Sequence, residues 1–197
     1  MAVIAIDGPA GSGKSTVART VASRLGLDYL DTGAMYRSVA LAALRGGIDP
    51  GDGESLGRLA AATEIDTTGA IRGPDVNATV SAVAAHPEVR AEMVRRQRGW
   101  VEQRGGGVVE GRDIGTVVFP GADVKIFLTA SEQERARRRQ HDEGAPDRDA
   151  VAAELSRRDQ LDSTRTASPL RPAGDAVVID TTGRTVEEVV EEVLKLL

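Results

Sequence analysis

Residues 3–16 constrain this chain more than any other stretch. Val3-Ile4-Ala5-Ile6 is a short, apolar, largely β-branched run that leads directly into Asp7-Gly8-Pro9-Ala10-Gly11-Ser12-Gly13-Lys14-Ser15-Thr16. The second segment carries G-x-x-x-x-G-K-S. Behind it Val17, Val21, Ala22 and Leu25 fall at helical spacing, up to a terminating Gly26. A strand before and a helix after are the context in which such a loop binds phosphate. Its glycines let the backbone turn sharply and aim successive N–H groups into one concavity. Lys14 can then reach the β- and γ-phosphates of a nucleoside triphosphate, and the Ser15 hydroxyl can complete a Mg²⁺ shell.

Four more apolar runs read as strands: Leu27 to Leu30, Val108-Val109, Val124 to Leu128, and Val177-Val178-Ile179. Helical patterns separate them. One runs through Met35, Val39, Ala42 and Leu44 to Gly46-Gly47; others cover Leu56 to Ala62, Asp75 to Ala85, and Pro87 to about Gln103. Ser131-Glu132-Gln133-Glu134 has capping-box spacing and opens an arginine-rich helix, which Gly144-Ala145-Pro146 breaks. A charged helix follows to about Asp159, then a loop with Pro169 and Pro172. A second capping box, Thr185 to Glu188, opens the closing helix to Leu197. Thr67-Thr68-Gly69 suggests a tight turn. Strands alternating with helices predict an α/β fold, a five-stranded parallel sheet with helices on both faces. Ligands of such sheets sit beyond the carboxyl ends of the strands. The loop at 8–16, Asp31-Thr32-Gly33 and Gly111-Arg112-Asp113 should therefore face one crevice.

Bulk properties narrow the class. The 197 residues suit one domain, and the net charge of −5 argues against a nucleic-acid-binding face. No cysteine is present, so no disulfide framework, cysteine zinc site or thiol chemistry is expected. The chain starts on a core strand without a basic flank, and no apolar run approaches bilayer length; a cytoplasmic protein with no membrane partner is expected. A switch GTPase would show N-K-x-D, yet the single asparagine is Asn77. A motor ATPase would carry an acidic pair at a strand end, which Glu110-Gly111-Arg112-Asp113 matches poorly. A small kinase remains, whose chemistry is positioning plus charge neutralisation. Of 25 basic residues 22 are arginine. Those near strand ends suit phosphate recognition, whereas Arg137 and Arg148 read as solvated surface charge.

Further stretches carry a resemblance. Asp31-Thr32-Gly33-Ala34-Met35-Tyr36-Arg37 and Gly111-Arg112-Asp113-Ile114-Gly115-Thr116-Val117-Val118-Phe119-Pro120 are followed by Lys125 to Ser131, Arg157-Arg158-Asp159 and Asp162-Ser163-Thr164-Arg165. With the phosphate loop, and in this order, the chain resembles the bacterial cytidylate kinases, nucleoside monophosphate kinases of the P-loop group. The run from Gly111 is the most specific part.

The resemblance implies ATP and CMP or dCMP as substrates, Mg²⁺ as cofactor, and a monomer that needs no nucleic-acid or membrane partner. It implies a core at about 1–31, 105–137 and 159–197, an acceptor-binding arm at about 32–104 and a lid at about 138–158. Gly8, Pro9, Ala10, Gly11, Ser12, Gly13, Lys14, Ser15 and Thr16 would hold ATP, with Ser15 on the metal. Thr32, Arg37, Arg112 and Arg165 match acceptor-phosphate contacts; Ser81, Arg90 and Asp113 match cytosine contacts; Asp162 matches a ribose contact. Lys14, Arg112, Arg158 and Arg165 would carry catalysis, and Arg135, Arg138, Arg139 and Arg157 would belong to the lid. The excursion from Gly53 to Ala70 looks short beside the small sheet many members carry there. Asp31 stands open between ordering a magnesium-bound water and capping the turn that follows it. His86 and His141 read as structural or solvent-facing, because an acceptor phosphate oxygen is already anionic and needs no strong base.

Overall fold

A computed structural model describes residues 2–65, 71–143 and 147–197. The turn expected at Thr67-Thr68-Gly69 and the break expected at Gly144-Ala145-Pro146 lie outside the described residues. Five strands form one sheet: β1 (Ala2–Asp7), β2 (Tyr29–Asp31), β3 (Gly106–Gly111), β4 (Val124–Thr129) and β5 (Val177–Asp180). Their order is β2-β3-β1-β4-β5, and every pairing is parallel. A parallel sheet is buried on both faces, and β1 is patterned for that. Val3 and Ala5 enter one apolar cluster while Ile4 and Ile6 enter another.

The first cluster packs β1, β2 and β3 against α2 (Thr32–Gly46), α3 (Gly53–Ala62), α4 (Pro74–Val83) and α5 (Pro87–Arg104). The second packs the sheet against α1 (Lys14–Leu25) and α8 (Val186–Leu194). Ile4, Ile6, Ile126 and Ile179 are at most 2% exposed, so each contributes roughly 1.5–3 kcal/mol of burial. α6 (Glu132–Glu143) and α7 (Arg148–Thr164) stand against the phosphate loop through a small cluster of Ala10, Ala136, Val151 and Leu155. Among the described residues no strand lies between α3 and α4.

Two segments differ from the sequence expectation. α7 does not stop at Asp159 but continues to Thr164, because Gln160 to Thr164 contains neither glycine nor proline to end it. Arg158, Asp162 and Arg165 therefore follow one another at helical spacing along one side of its last turns. After β3 the chain winds into a single π-helical turn, Ile114–Val118, which no periodicity announced.

Candidate active site

The phosphate loop is shaped by its glycines. A Cβ on Gly8 would sit 2.1 Å from the Leu128 carbonyl oxygen of β4, so only glycine lets the loop leave the sheet here. Gly13 caps α1 in the left-handed conformation (φ 89°) and has no side chain to satisfy the first N–H groups of that helix. Those donors, on the positive end of the helix dipole, make a ready anion site.

The loop is braced from three sides. The Ala10 N–H donates to Asp159 of α7 (3.1 Å), and the Ala10 carbonyl accepts from Arg135 Nη1 of α6 (3.1 Å). Arg135 and Asp159 also form an ion pair with each other. The hydroxyl of buried Thr181, just past β5, lies 3.1 Å from the Ser12 carbonyl and accepts from Arg138 Nη1 (2.9 Å).

Lys14 Nζ donates to the Pro9 carbonyl at 2.6 Å inside the loop. Burial pushes its ammonium down to about 7, and neighbouring Arg112 acts in the same direction. A polyphosphate would supply the negative charge this ammonium needs. Ser15 Oγ donates to Glu110 Oε1 at 2.7 Å, and the Tyr29 hydroxyl donates to the same oxygen at 2.6 Å. Glu110 is 3% exposed, and its other oxygen, Oε2, has no partner. The strand-end acid that matched a motor ATPase poorly thus lies against the phosphate-loop serine. Its signal was an acidic residue ending an apolar strand beside β1.

Beyond the loop, at the carboxyl ends of β1, β2 and β3, lies a cleft with two connected parts. The first collects every residue matched to the acceptor. Thr32 and Arg37 enter it from the start of α2, Ser81 from α4 and Arg90 from α5. Arg112 and Asp113 come from the end of β3, and Asp162 and Arg165 from the end of α7. Lys14, Arg139 and Arg158 line it too. Eight basic side chains and four carboxylates line this part, in a chain whose net charge is −5.

The carboxylates hold the arginines in place. Asp113 ion-pairs with Arg90, both almost fully buried, and lies 3.7 Å from Arg165. Asp162 accepts from Arg112 Nε (2.9 Å) and lies 3.5 Å from Arg165. Tyr36 packs under Arg90, its ring 5.7 Å from the guanidinium. Three guanidiniums still carry a buried nitrogen without a hydrogen-bond partner: Arg37 Nε, Arg158 Nε and Arg165 Nη2. Burial pushes Arg158 down to about 10, with Arg112 and Arg139 adding repulsion. A buried cation in that state favours an anionic ligand.

Asp31 caps α2 through the Ala34 N–H (2.8 Å) and pairs with Arg37 and Arg72 (both 3.1 Å). Arg72, which lines both parts of the cleft, had no distinguishing sequence signal.

The second part runs past Gly11, Ser12, Gly13 and Thr16 to Arg138, Arg139 and Thr181, and shares Gly11, Lys14 and Ser15 with the first. Of the four arginines expected with the lid, Arg138 and Arg139 line this part, and the other two lie on the same pair of helices, α6 and α7, outside it. Arg135 is buried beneath the loop as its strut, and Arg157 is exposed on α7; neither lines either part. His86 bonds the Pro50 carbonyl at 2.7 Å, away from the cleft.

A parallel sheet with the phosphate loop after β1 and an arginine-lined cleft beside it defines a P-loop kinase. A gluconokinase structure from Sinorhizobium meliloti 1021 shares the fold, with a TM-score of 0.50 at 19% identity over 99% of this chain and 90% of that one. The family model for cytidylate kinase matches residues 4–197, and the chain belongs to that family. It is 50% identical to a cytidylate kinase of Mycobacterium avium (strain 104) over 99% of this chain and 94% of the relative. It is 48% identical to one from Shouchella clausii (strain KSM-K16), over 98% and 95%.

Proposed function

We propose that this enzyme transfers the γ-phosphoryl group of ATP to the phosphate of CMP or dCMP, giving ADP and CDP or dCDP. The supporting observation is the first part of the cleft. Its eight basic side chains, three with buried N–H groups that lack a hydrogen-bond partner, open onto the phosphate loop through Gly11, Lys14 and Ser15. Such a cleft brings two polyanions together, which is the main obstacle to the reaction.

In this reading residues 8–16 hold the donor phosphates. Thr32, Arg37, Arg112 and Arg165 hold the acceptor phosphate, Ser81, Arg90 and Asp113 read the base, and Asp162 reads the ribose. Cytosine presents an exocyclic amine that a carboxylate accepts from; uracil presents a carbonyl there, which would leave Asp113 facing another acceptor. An acceptor oxygen, already anionic near neutral pH, attacks the γ-phosphorus in line while the bridging bond to ADP breaks. Lys14, Arg112, Arg158 and Arg165 neutralise the charge that develops on the transferring oxygens. Arg138 and Arg139 close over the donor with the lid, and Arg157 rides on the same helical pair. Ser15 and the free Glu110 Oε2 are oxygen groups of the kind magnesium takes, and they would hold it beside the donor phosphates. Magnesium, held there by Ser15 and Glu110, would supply positive charge to offset that of the donor phosphates.

We further place the enzyme in the cytoplasm as a monomer, with no nucleic-acid partner; the acidic overall balance supports the last point. No helix among the described residues is long and apolar enough to cross a membrane. The deciding experiment couples ADP release to ATP plus a panel of CMP, dCMP, UMP, AMP and shikimate. Turnover with CMP and dCMP well above the others is expected, and absence of turnover with CMP refutes the reading.

A further inference from the structure

One buried carboxylate beside the cleft has no part in the chemistry above. Asp7, the last residue of β1, is 5% exposed. Its two oxygens accept two consecutive backbone N–H groups: Oδ1 from Ile114 and Oδ2 from Gly115, each at 2.8 Å. Those residues open the π-helical turn, and Asp113 is its N-terminal flank. Next to Asp7, the Gly8 carbonyl accepts from Arg112 Nη1 at 2.8 Å. Asp7 and Gly8 together therefore accept three hydrogen bonds from Arg112, Ile114 and Gly115.

The far end of the turn is held by Arg98, which donates to the Val117 and Val118 carbonyls (3.0 and 2.9 Å), and Ile114 and Val118 are buried in the first apolar cluster; among side chains, Asp7 is the one that holds its first two N–H groups. Asp113 makes no side-chain cap to it, because its carboxylate faces Arg90 and Arg165. A Cβ on Gly115 would come 3.2 Å from the Lys125 side chain and 3.5 Å from Asp7 Oδ2, so the turn packs between Lys125 and the carboxylate. Burial pushes Asp7 up to about 6 even though both N–H groups pull the other way. Keeping a charge there has a cost that an apolar residue would avoid.

We infer that Asp7 is a positioning residue for the acceptor side of the site: its carboxylate clamps the Ile114–Gly115 turn and thereby sets Arg112 and Asp113 against the acceptor nucleotide. The inference rests on the reading of Arg112 and Asp113 as acceptor contacts. The donor loop touches this clamp only at its first residue, where the Gly8 carbonyl accepts from Arg112, and the rest of it has supports of its own. Residues 10–12 are held separately by Asp159, Arg135 and Thr181.

The test is Asp7→Asn. The amide is nearly isosteric but offers one acceptor where the turn presents two donors, so one N–H is left facing an N–H. KM for CMP should rise about tenfold or more, and the preference for CMP over UMP should shrink, because a displaced donor and its neighbours lose affinity of that order. KM for ATP should stay within about twofold, since uniform donor binding is untouched. The melting temperature should stay within about 8 °C, the shift a small structural loss gives. Asp7→Ser, a shorter neutral acceptor, takes its place with the same readouts where the amide variant does not fold.

Equal increases in both KM values, unchanged kinetics, or loss of folding in both variants would make Asp7 a residue of general stability and overturn the inference. The wild-type acceptor panel is run alongside. Failure of the wild type to use CMP refutes the substrate reading instead, and Asp7 is then judged with the acceptor that is used, by the same split between acceptor and donor KM.

Discussion

Replacing Asp113 by asparagine separates base recognition from general charge balance. The side chain is 4% exposed, paired with Arg90 and 3.7 Å from Arg165. The amide of Asp113→Asn keeps the shape and one oxygen for Arg90 but removes the negative charge. A hydrogen bond to a charged group contributes roughly 1.5–3 kcal/mol, so kcat/KM for CMP should fall about 10- to 150-fold. UMP should behave oppositely. Its O4 carbonyl would meet a carboxylate in the wild type and an amide N–H₂ in the variant, so its kcat/KM should hold or rise. The assay is steady-state ADP release at saturating ATP with each nucleotide, beside a thermal melt. Asp113→Ala is the harsher companion; it leaves buried Arg90 without its carboxylate and Arg165 with Asp162 alone, and should cost about 3–5 kcal/mol of stability. CMP and UMP falling by the same factor in the asparagine variant would refute the base-reading argument, as would a CMP value within about twofold of wild type.

Three more expectations concern the framework. Lys14→Met should lower kcat by about a hundredfold or more, since it removes a preorganised charge at the transferring group. Yet it should hold or raise the melting temperature. Burial places the Lys14 ammonium at about 7 in the fold against 10.5 in the unfolded chain, so wild-type stability rises with pH across that window, and the variant should lose that slope. Tyr29→Phe leaves Glu110 Oε1 with Ser15 alone and should cost about 1–2 kcal/mol in urea unfolding; an unchanged midpoint would argue that the phenol bears nothing. Glu92 is held down to about 2 by hydrogen bonds from Arg95 and Arg96, against 4.5 unfolded. Its contribution is present above pH 4.5 and is lost as pH falls toward 2, so melts of Glu92→Gln should decline less steeply than wild type in that range.

Much of this architecture was legible because each strand is an apolar run bounded by glycine, proline or a charged turn. β1 is the clearest case, feeding alternate residues into two separate clusters. The capping box at Thr185 to Glu188 is present as expected. What escaped notice was set by tertiary contacts. Ile114 to Val118 is as β-branched as a strand, but its first two N–H groups are taken by Asp7, which winds it into a π-turn. The continuation of α7 to Thr164 carried a readable signal, the helical spacing of Arg158, Asp162 and the C-capping Arg165, masked by polar composition. Glu110 gave the opposite problem. As a lone acid at a strand end it resembled no complete motif, and only the parallel pairing of Ile6 with Glu110 brings it beside the loop. Arg135 and Arg138 lie three apart on one helix, yet one braces Ala10 from beneath while the other lines the cleft. Sequence spacing gives a shared side of a helix but not depth.

The carboxylates of the cleft explain how so many arginines coexist before any substrate arrives. Asp31 occupies Arg37 and Arg72, Asp113 occupies Arg90, and Asp162 occupies Arg112. Without these partners, desolvated guanidiniums would repel one another, and folding would carry the full penalty of burying them. With them, each fork is already aimed and its rotamer freedom already lost, so little of the binding energy of a phosphate is spent on ordering. The pairing is incomplete. Arg37 Nε, Arg158 Nε and Arg165 Nη2 stay buried without a hydrogen-bond partner, a state that an apolar ligand could not relieve and an anion can. A site neutralised too fully would have no differential attraction for a transferring phosphoryl group, and one left wholly unpaired would not fold. The four carboxylates among eight cations lie between those limits. Turning any one of the four into its amide should therefore tighten bare phosphate, read by isothermal titration, while loosening the geometry that makes phosphate reactive and so lowering kcat.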